Sequence, residues 1–183
     1  MVSGIWYARL LKIRRLMARP AVMVAIAGAL LAASSFSAPV RAQEMPGCSL
    51  TTASDPERQV FDCGNGLIIE AEAAEAVSGS DPSQSVTVTD QAILIDVEPR
   101  SSFQILTPHA IATVRGTTFL VDVDEGSTSV FVVEGSVDVS RLDGSDTVVL
   151  NPGEGVDVAP GEPMTVRQWP QQRVDALLAR FAR

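Results

Sequence analysis

Lysine is almost absent from this chain. Lys12 is the only one, and beyond residue 42 eight arginines face 22 carboxylates, a net charge of −14. Such a surface is soluble and is repelled by nucleic acid and anionic lipid, so neither is an expected partner. Histidine is nearly missing too. His109, between Pro108 and Ala110, stands alone and cannot form a histidine metal cluster. No serine sits in a G-x-S-x-G elbow, and no glycine-rich phosphate cradle occurs. Asp122 to Gly126 resembles the front half of a calcium-binding loop, but Val133 stands where the distal bidentate glutamate belongs. A hairpin turn explains those acids better. Aromatics beyond residue 42 are only Phe61, Phe103, Phe119, Phe131, Trp169 and Phe181, in core-like positions. That is poor material for a ligand or polysaccharide pocket. The expectation is a protein that is not an enzyme and that carries no cofactor and no metal.

Cysteine is scarce, and its placement is informative. Cys48 and Cys63 are the only two, with fourteen residues between them, which rules out a C-x-x-C redox or metal pair. An even count in an exported chain reads as a disulfide. Closing such a loop stabilises a fold by about 3 kcal/mol in the chain-entropy model.

Export is indicated by the first stretch. Residues 1–19 carry Arg9, Lys12, Arg14, Arg15 and Arg19 without an acid, and an apolar run follows from Ala21. Small residues then lead to Val40-Arg41-Ala42, with small side chains at −3 and −1 of a cleavage point after Ala42. This is the pattern of a secretory signal peptide over 1–42, with Met1 or Met17 as its start. The alternative is an uncleaved anchor over 21–38, close to the roughly 20 residues a membrane span needs. Either way residues 43–183 are expected in the periplasm, with membrane contact only through that anchor.

Residues 43–58 are polar, with Pro46, Gly47 and Asp55-Pro56, and read as an irregular lead-in. From Val60 the pattern turns to period two. Leu67 to Ala71, Val86 to Thr89, Ile93 to Val97 and Phe103 to Leu106 read as strands. In Phe119 to Asp124 the apolar Phe119, Val121 and Val123 face one way and the acids the other. Strands of about five residues, spaced by glycine and proline turns, predict an all-β fold. We expect an antiparallel two-layer β-sandwich or β-roll over 43–168. The similar segments Glu134 to Val139 and Gly153 to Val158 read as two hairpins solving one turn problem with glycine. Pro170 then opens a helix over 171–183, within a C-terminal segment 169–183. Val174, Leu177, Leu178 and Phe181 form its apolar stripe, suited to the chain's own sheet or to a partner.

From Phe103 to Val158 the sequence resembles the FecR domain. The hallmarks are Thr107-Pro108, the A-T-V-R-G-T-x-F core from Ala112 to Phe119, the E-G-x-V-x-V return from Glu134, and Gly153-Glu154-Gly155. The resemblance implies a periplasmic all-β signalling domain. Siderophore transducers of this family set a cytoplasmic anti-sigma region before a membrane span, and their periplasmic part contacts an outer-membrane receptor. Here only about twenty residues precede the apolar run and about fifteen follow Trp169, so neither accessory region is expected. Gly116 reads as a bulge or bend, with Arg115 beside Thr117 and within reach of Glu134 or Asp122. Alternatively, Arg115 grips an anionic ligand or a partner's carboxylate. Arg115, Thr107, His109 and Thr117 are the candidate contact residues, and the expected partner is another envelope protein. The functional alternatives are a small-ligand or polysaccharide-binding periplasmic domain, or an anchored signal transducer.

Overall fold

Valine, isoleucine and threonine at alternate positions favour the pleated, half-buried backbone, and in the computed structural model they build two packed sheets. The structure describes residues 45–64, 66–100 and 102–183. The signal segment, its cleavage point and the candidate anchor lie outside these residues. The larger sheet holds β1 (Ser49–Ala53), β2 (Arg58–Asp62), β3 (Leu67–Ala71), β6 (Gln91–Val97), β9 (Thr117–Val123), β10 (Thr128–Glu134), β13 (Glu154–Val158) and β14 (Arg167–Gln168). These eight strands lie in the order β1-β2-β3-β6-β9-β10-β13-β14. The smaller sheet holds β4 (Val77–Ser78), β5 (Ser85–Val88), β7 (Phe103–Leu106), β8 (Ala110–Val114), β11 (Val137–Arg141) and β12 (Thr147–Leu150). Its order is β12-β11-β8-β7-β5-β4. Neighbours are antiparallel except β5 and β7, a parallel pair in register Val86 to Ile105.

The inner faces meet in one core. Ile69, Ile93, Ile95, Phe119 and Val121 come from the larger sheet, and Phe103, Ile105, Val114 and Val139 from the smaller. A second core lies on the far side of the larger sheet. There Ala92, Leu94, Leu120 and Phe131 meet Trp169, Val174, Leu177 and Phe181. Strands β6, β9 and β10 are therefore apolar on both faces at their centres, which is why Ile93-Leu94-Ile95 is a continuous run and not an alternation.

The C-terminal cover is the helix α1 (Gln171–Leu178), followed by a 3-10 turn over Ala179–Phe181. The α-helix ends earlier than the stripe suggested, at Leu178, and the 3-10 turn that follows stops at the left-handed Ala182. Burying Val174, Leu177 and Phe181 stabilises the cover by about 1.5–3 kcal/mol each as an upper bound. Its arginines add polar latches to the sheet. Arg180 pairs with Glu72 and with Asp122 at 3.2 Å, Arg183 with Glu70 at 2.9 Å, and Arg173 with Asp157 at 2.6 Å. Burial pushes the Glu72 carboxyl upward, but the Arg180 hydrogen bond, the Ala92 N–H and the Arg180 charge together hold it below its ordinary value. At Asp157 the Arg173 hydrogen bond dominates and also lowers it.

Trp169 fixes the start of this cover. Its ring stacks on Phe131 at 5.1 Å, and the Arg173 guanidinium lies over it at 3.5 Å. Directly beneath is Gly155, where an added Cβ would come within 2.5 Å of the indole nitrogen. Glycine stands there for close approach and not for a turn.

Two expectations change. The lead-in is not wholly irregular, since Ser49–Ala53 forms the edge strand β1, paired with β2 in register Thr51 to Val60. The segments at Glu134 and Gly153 are not hairpins. Each is a corner at which the chain leaves one sheet for the other, from β10 to β11 and from β12 to β13. Cys48 and Cys63 are disulfide-bonded, tying the start of β1 to the β2–β3 turn. Among the described residues no helix is long and apolar enough to cross a membrane.

Candidate functional site

Strand β8 runs through the smaller sheet, and the candidate contact residues sit at its two ends. Five residues of strand span about 16 Å, too far for them to form one contact. At the leading end, the Thr107 hydroxyl accepts from the Ala110 N–H and from the Thr128 hydroxyl, each at 2.9 Å. It also donates to the Ala110 carbonyl at 3.0 Å, closing the β7–β8 turn. His109 Nδ1 lies 3.2 Å from the Thr128 hydroxyl. With the Thr128 proton committed to Thr107, that ring nitrogen is the donor. Thr107 and Thr128 are buried, so this motif ties the β7–β8 turn to the start of β10. The adjoining β9–β10 turn is closed by Asp124, whose carboxylate accepts from the Gly126 and Ser127 N–H groups at 2.9 and 2.8 Å. Those two N–H bonds lower its pKa.

At the trailing end, Arg115 and Gly116 carry the chain from β8 in the smaller sheet to β9 in the larger. Gly116 has φ 138°, and a Cβ there would lie 3.0 Å from the Pro99 Cα, so the corner takes glycine alone. Thr117 is buried and donates to the Ser136 carbonyl at 2.9 Å, binding the R-G-T corner to the E-G corner. The Arg115 carbonyl accepts from the Arg100 N–H at 3.0 Å, and the Arg100 guanidinium lies 5.7 Å from the Phe103 ring centre.

The Arg115 side chain differs from the expectation. It is exposed, and among the described residues no carboxylate pairs with it. Asp122 is held by Arg180 on the outer face of the larger sheet, where Arg115 does not reach. Arg58, Arg141, Arg173, Arg180 and Arg183 all form ion pairs. The two ends of the sandwich also differ in charge. The leading end carries Asp124, Glu125, Asp143, Glu162 and Asp146, the last paired with Arg141, while the trailing end carries Arg100 and Arg115 beside Glu98, Glu134 and Glu154.

Among the described residues no group of three His, Cys, Asp or Glu could hold a metal ion. A groove of about 660 Å³ lies between Glu162, Arg167, Trp169 and Arg173. Its aromatic is buried between Phe131 and Arg173 and offers no free ring face. Sequence reading missed Pro99 and Gly135 as parts of the corner. A Cβ on Gly135 would press within 3.0 Å of the Thr117 hydroxyl. The paired R-G-T and E-G motifs were the available signal.

Residues 64–138 match the family model described as FecR protein. The match runs from the β2–β3 turn into β11 and leaves out β12, β13 and the helical cover. No curated protein matches the chain. Two crystal structures of a candidate anti-sigma factor from Parabacteroides distasonis ATCC 8503 are similar at 17% and 19% identity, with TM-scores of 0.48 and 0.47. They cover 74% and 71% of this chain, which spans 63% and 60% of their lengths. Over residues 64–138 the chain is thus similar to the FecR family.

Proposed function

We propose that residues 43–183 form a non-catalytic module in the periplasm that passes or scaffolds an envelope signal by protein contact. The trailing corner around Arg115 is its contact surface, and the partner presents a carboxylate to it. The observation that carries this reading is an exposed arginine that pairs with no carboxylate among the described residues, on a chain with eight arginines and 22 carboxylates beyond residue 42. The corner beneath it is built from Gly116 and Thr117, so the guanidinium stands on a rigid mount. The match of residues 64–138 to the FecR family model supports the signalling class, and the Cys48–Cys63 disulfide supports an oxidising compartment. Thr107 and His109 serve the opposite end as structural ties.

The test compares wild type with Arg115→Ala in crosslinked capture from envelope extracts, alongside thermal unfolding. Capture lost at an unchanged melting temperature is expected. Capture retained by the variant would remove Arg115 from the contact.

A further inference from the structure

Strand β14 pairs briefly with β13, and upstream of that pairing the two part. The Trp169 N–H donates to the Gly153 carbonyl at 3.2 Å, and Gln168 and Arg167 stand opposite Glu154 and Gly155. Continued, this register would set Val166 opposite Val156 and Thr165 opposite Asp157. The ladder stops short of them. Among the described residues Met164, Thr165 and Val166 make no backbone hydrogen bond, and β13 from Val156 to Val158 has a ladder neighbour only in β10. Ladder groups point to alternate sides along a strand. The Asp157 N–H and C=O are therefore turned to the side that β14 has left open.

The parted segment keeps the pattern of a strand. Met164 and Val166 are half-buried against the main core, while Thr165 and Arg167 are exposed. Two restraints hold it off β13. Its inward side chains tie it to the core, and the Arg141 guanidinium donates to the carbonyls of Ala159, at 3.0 Å, and Glu162, fixing the turn before it. Between the two banks lies the groove of about 660 Å³, a size in the range of about 300–1,000 Å³ common to ligand clefts. An added strand is recognised through open ladder groups of this kind.

Charge marks the two ends of the groove. Of the charged side chains that line it, Arg173 and Asp157 pair with each other at 2.6 Å. Glu162 and Arg167 form no ion pair among the described residues. They stand at opposite ends of the parted segment, at most about 16 Å apart along an extended backbone.

We propose that this groove takes an extended peptide of about five residues, added as a strand to the open ladder, with a cationic side chain at one end and a carboxylate at the other. The cation faces Glu162 and the carboxylate faces Arg167. With the Trp169 ring covered, backbone bonds carry the affinity and the end charges set direction and register. Arg115 lies at the other end of the sandwich and takes no part, so this site and the proposed partner contact stand or fall separately.

Fluorescence anisotropy with three labelled peptides, KVTVTE, EVTVTK and QVTVTQ, acetylated and amidated, tests it on the purified protein. All three have no net charge, so the acidity of the whole chain favours none of them. One of the two charged orders is expected to bind at least about tenfold tighter than the other two peptides. Binding also slows hydrogen exchange at the Asp157 and Thr165 amides. The double variant Glu162→Arg with Arg167→Glu leaves the net charge unchanged and is expected to reverse the preferred order at an unchanged melting temperature. No binding up to about 1 mM, the weak limit for a specific peptide site, would overturn the proposal. Equal binding of all three peptides, or an order that the double variant does not reverse, would overturn it too.

Discussion

Adding one methyl group to Gly155 should dislodge the C-terminal cover. In Gly155→Ala the new Cβ would stand within 2.5 Å of the Trp169 indole nitrogen, and Phe131 stacked at 5.1 Å limits retreat along the sheet. The indole must leave its seat, which also costs the Arg173 contact at 3.5 Å. Removing a core tryptophan costs about 3–5 kcal/mol. Because the displaced ring can still cover some apolar surface, we expect about 3 kcal/mol, or roughly 10 °C in melting temperature. The sequence holds two tryptophans, Trp6 and Trp169, so in protein lacking residues 1–42 fluorescence reports on Trp169 alone. Its emission should shift to the red in folded Gly155→Ala. Gly126→Ala is the control, since only the Asp124 carboxylate lies near its Cβ, at 3.8 Å, and φ is ordinary there. Native emission and an unchanged melting temperature in Gly155→Ala would refute the claim that this glycine exists to seat the indole.

Acid should loosen the same cover before it unfolds the sandwich. Glu72 and Asp157 are held below their ordinary values in the folded state. Their contribution is therefore complete above the unfolded carboxylate pKa of about 4 and is lost as pH falls through the lower folded values. Trp169 emission titrated downward from neutral pH should shift below about pH 4, and no shift down to acid unfolding would contradict the latch. Thr107→Val should destabilise the fold by about 1–3 kcal/mol in denaturant titration, since it strips the Ala110 N–H and the buried Thr128 hydroxyl of a partner. A change near zero would mean that the turn is held without this hydroxyl.

Alternation made the sandwich legible, because Phe119, Val121 and Val123 share a face and most strands have one wet side. The places where reading failed follow from physics that a sequence window does not contain. Strand β1 buries no residue fully and shows no period. The parallel contact of β5 with β7 joins segments that local pattern treats as neighbours in a meander. The glycines of the two similar segments looked alike, yet Gly135 shapes a corner and Gly155 lies under a ring fourteen residues later. Arg115 was visible as a candidate, but that Asp122 faces Arg180 on the outer side of the larger sheet, beyond its reach, is set by the strand pairing and the C-terminal cover. The division of the motif residues between opposite ends of β8 emerges only once the register is known.

The latches at Arg180 and Arg183 join residues 108 and 113 positions apart in the chain. Until that helix arrives, Leu94, Leu120 and Phe131 present a bare apolar strip on strands already able to pair. Contacts so distant in sequence make for slow closure, because the chain entropy is lost before the contacts reward it. The fold thus carries a built-in delay. A polypeptide that stays open until its final turn can be threaded through a narrow channel for longer, and it is also longer at risk of sticking to its neighbours.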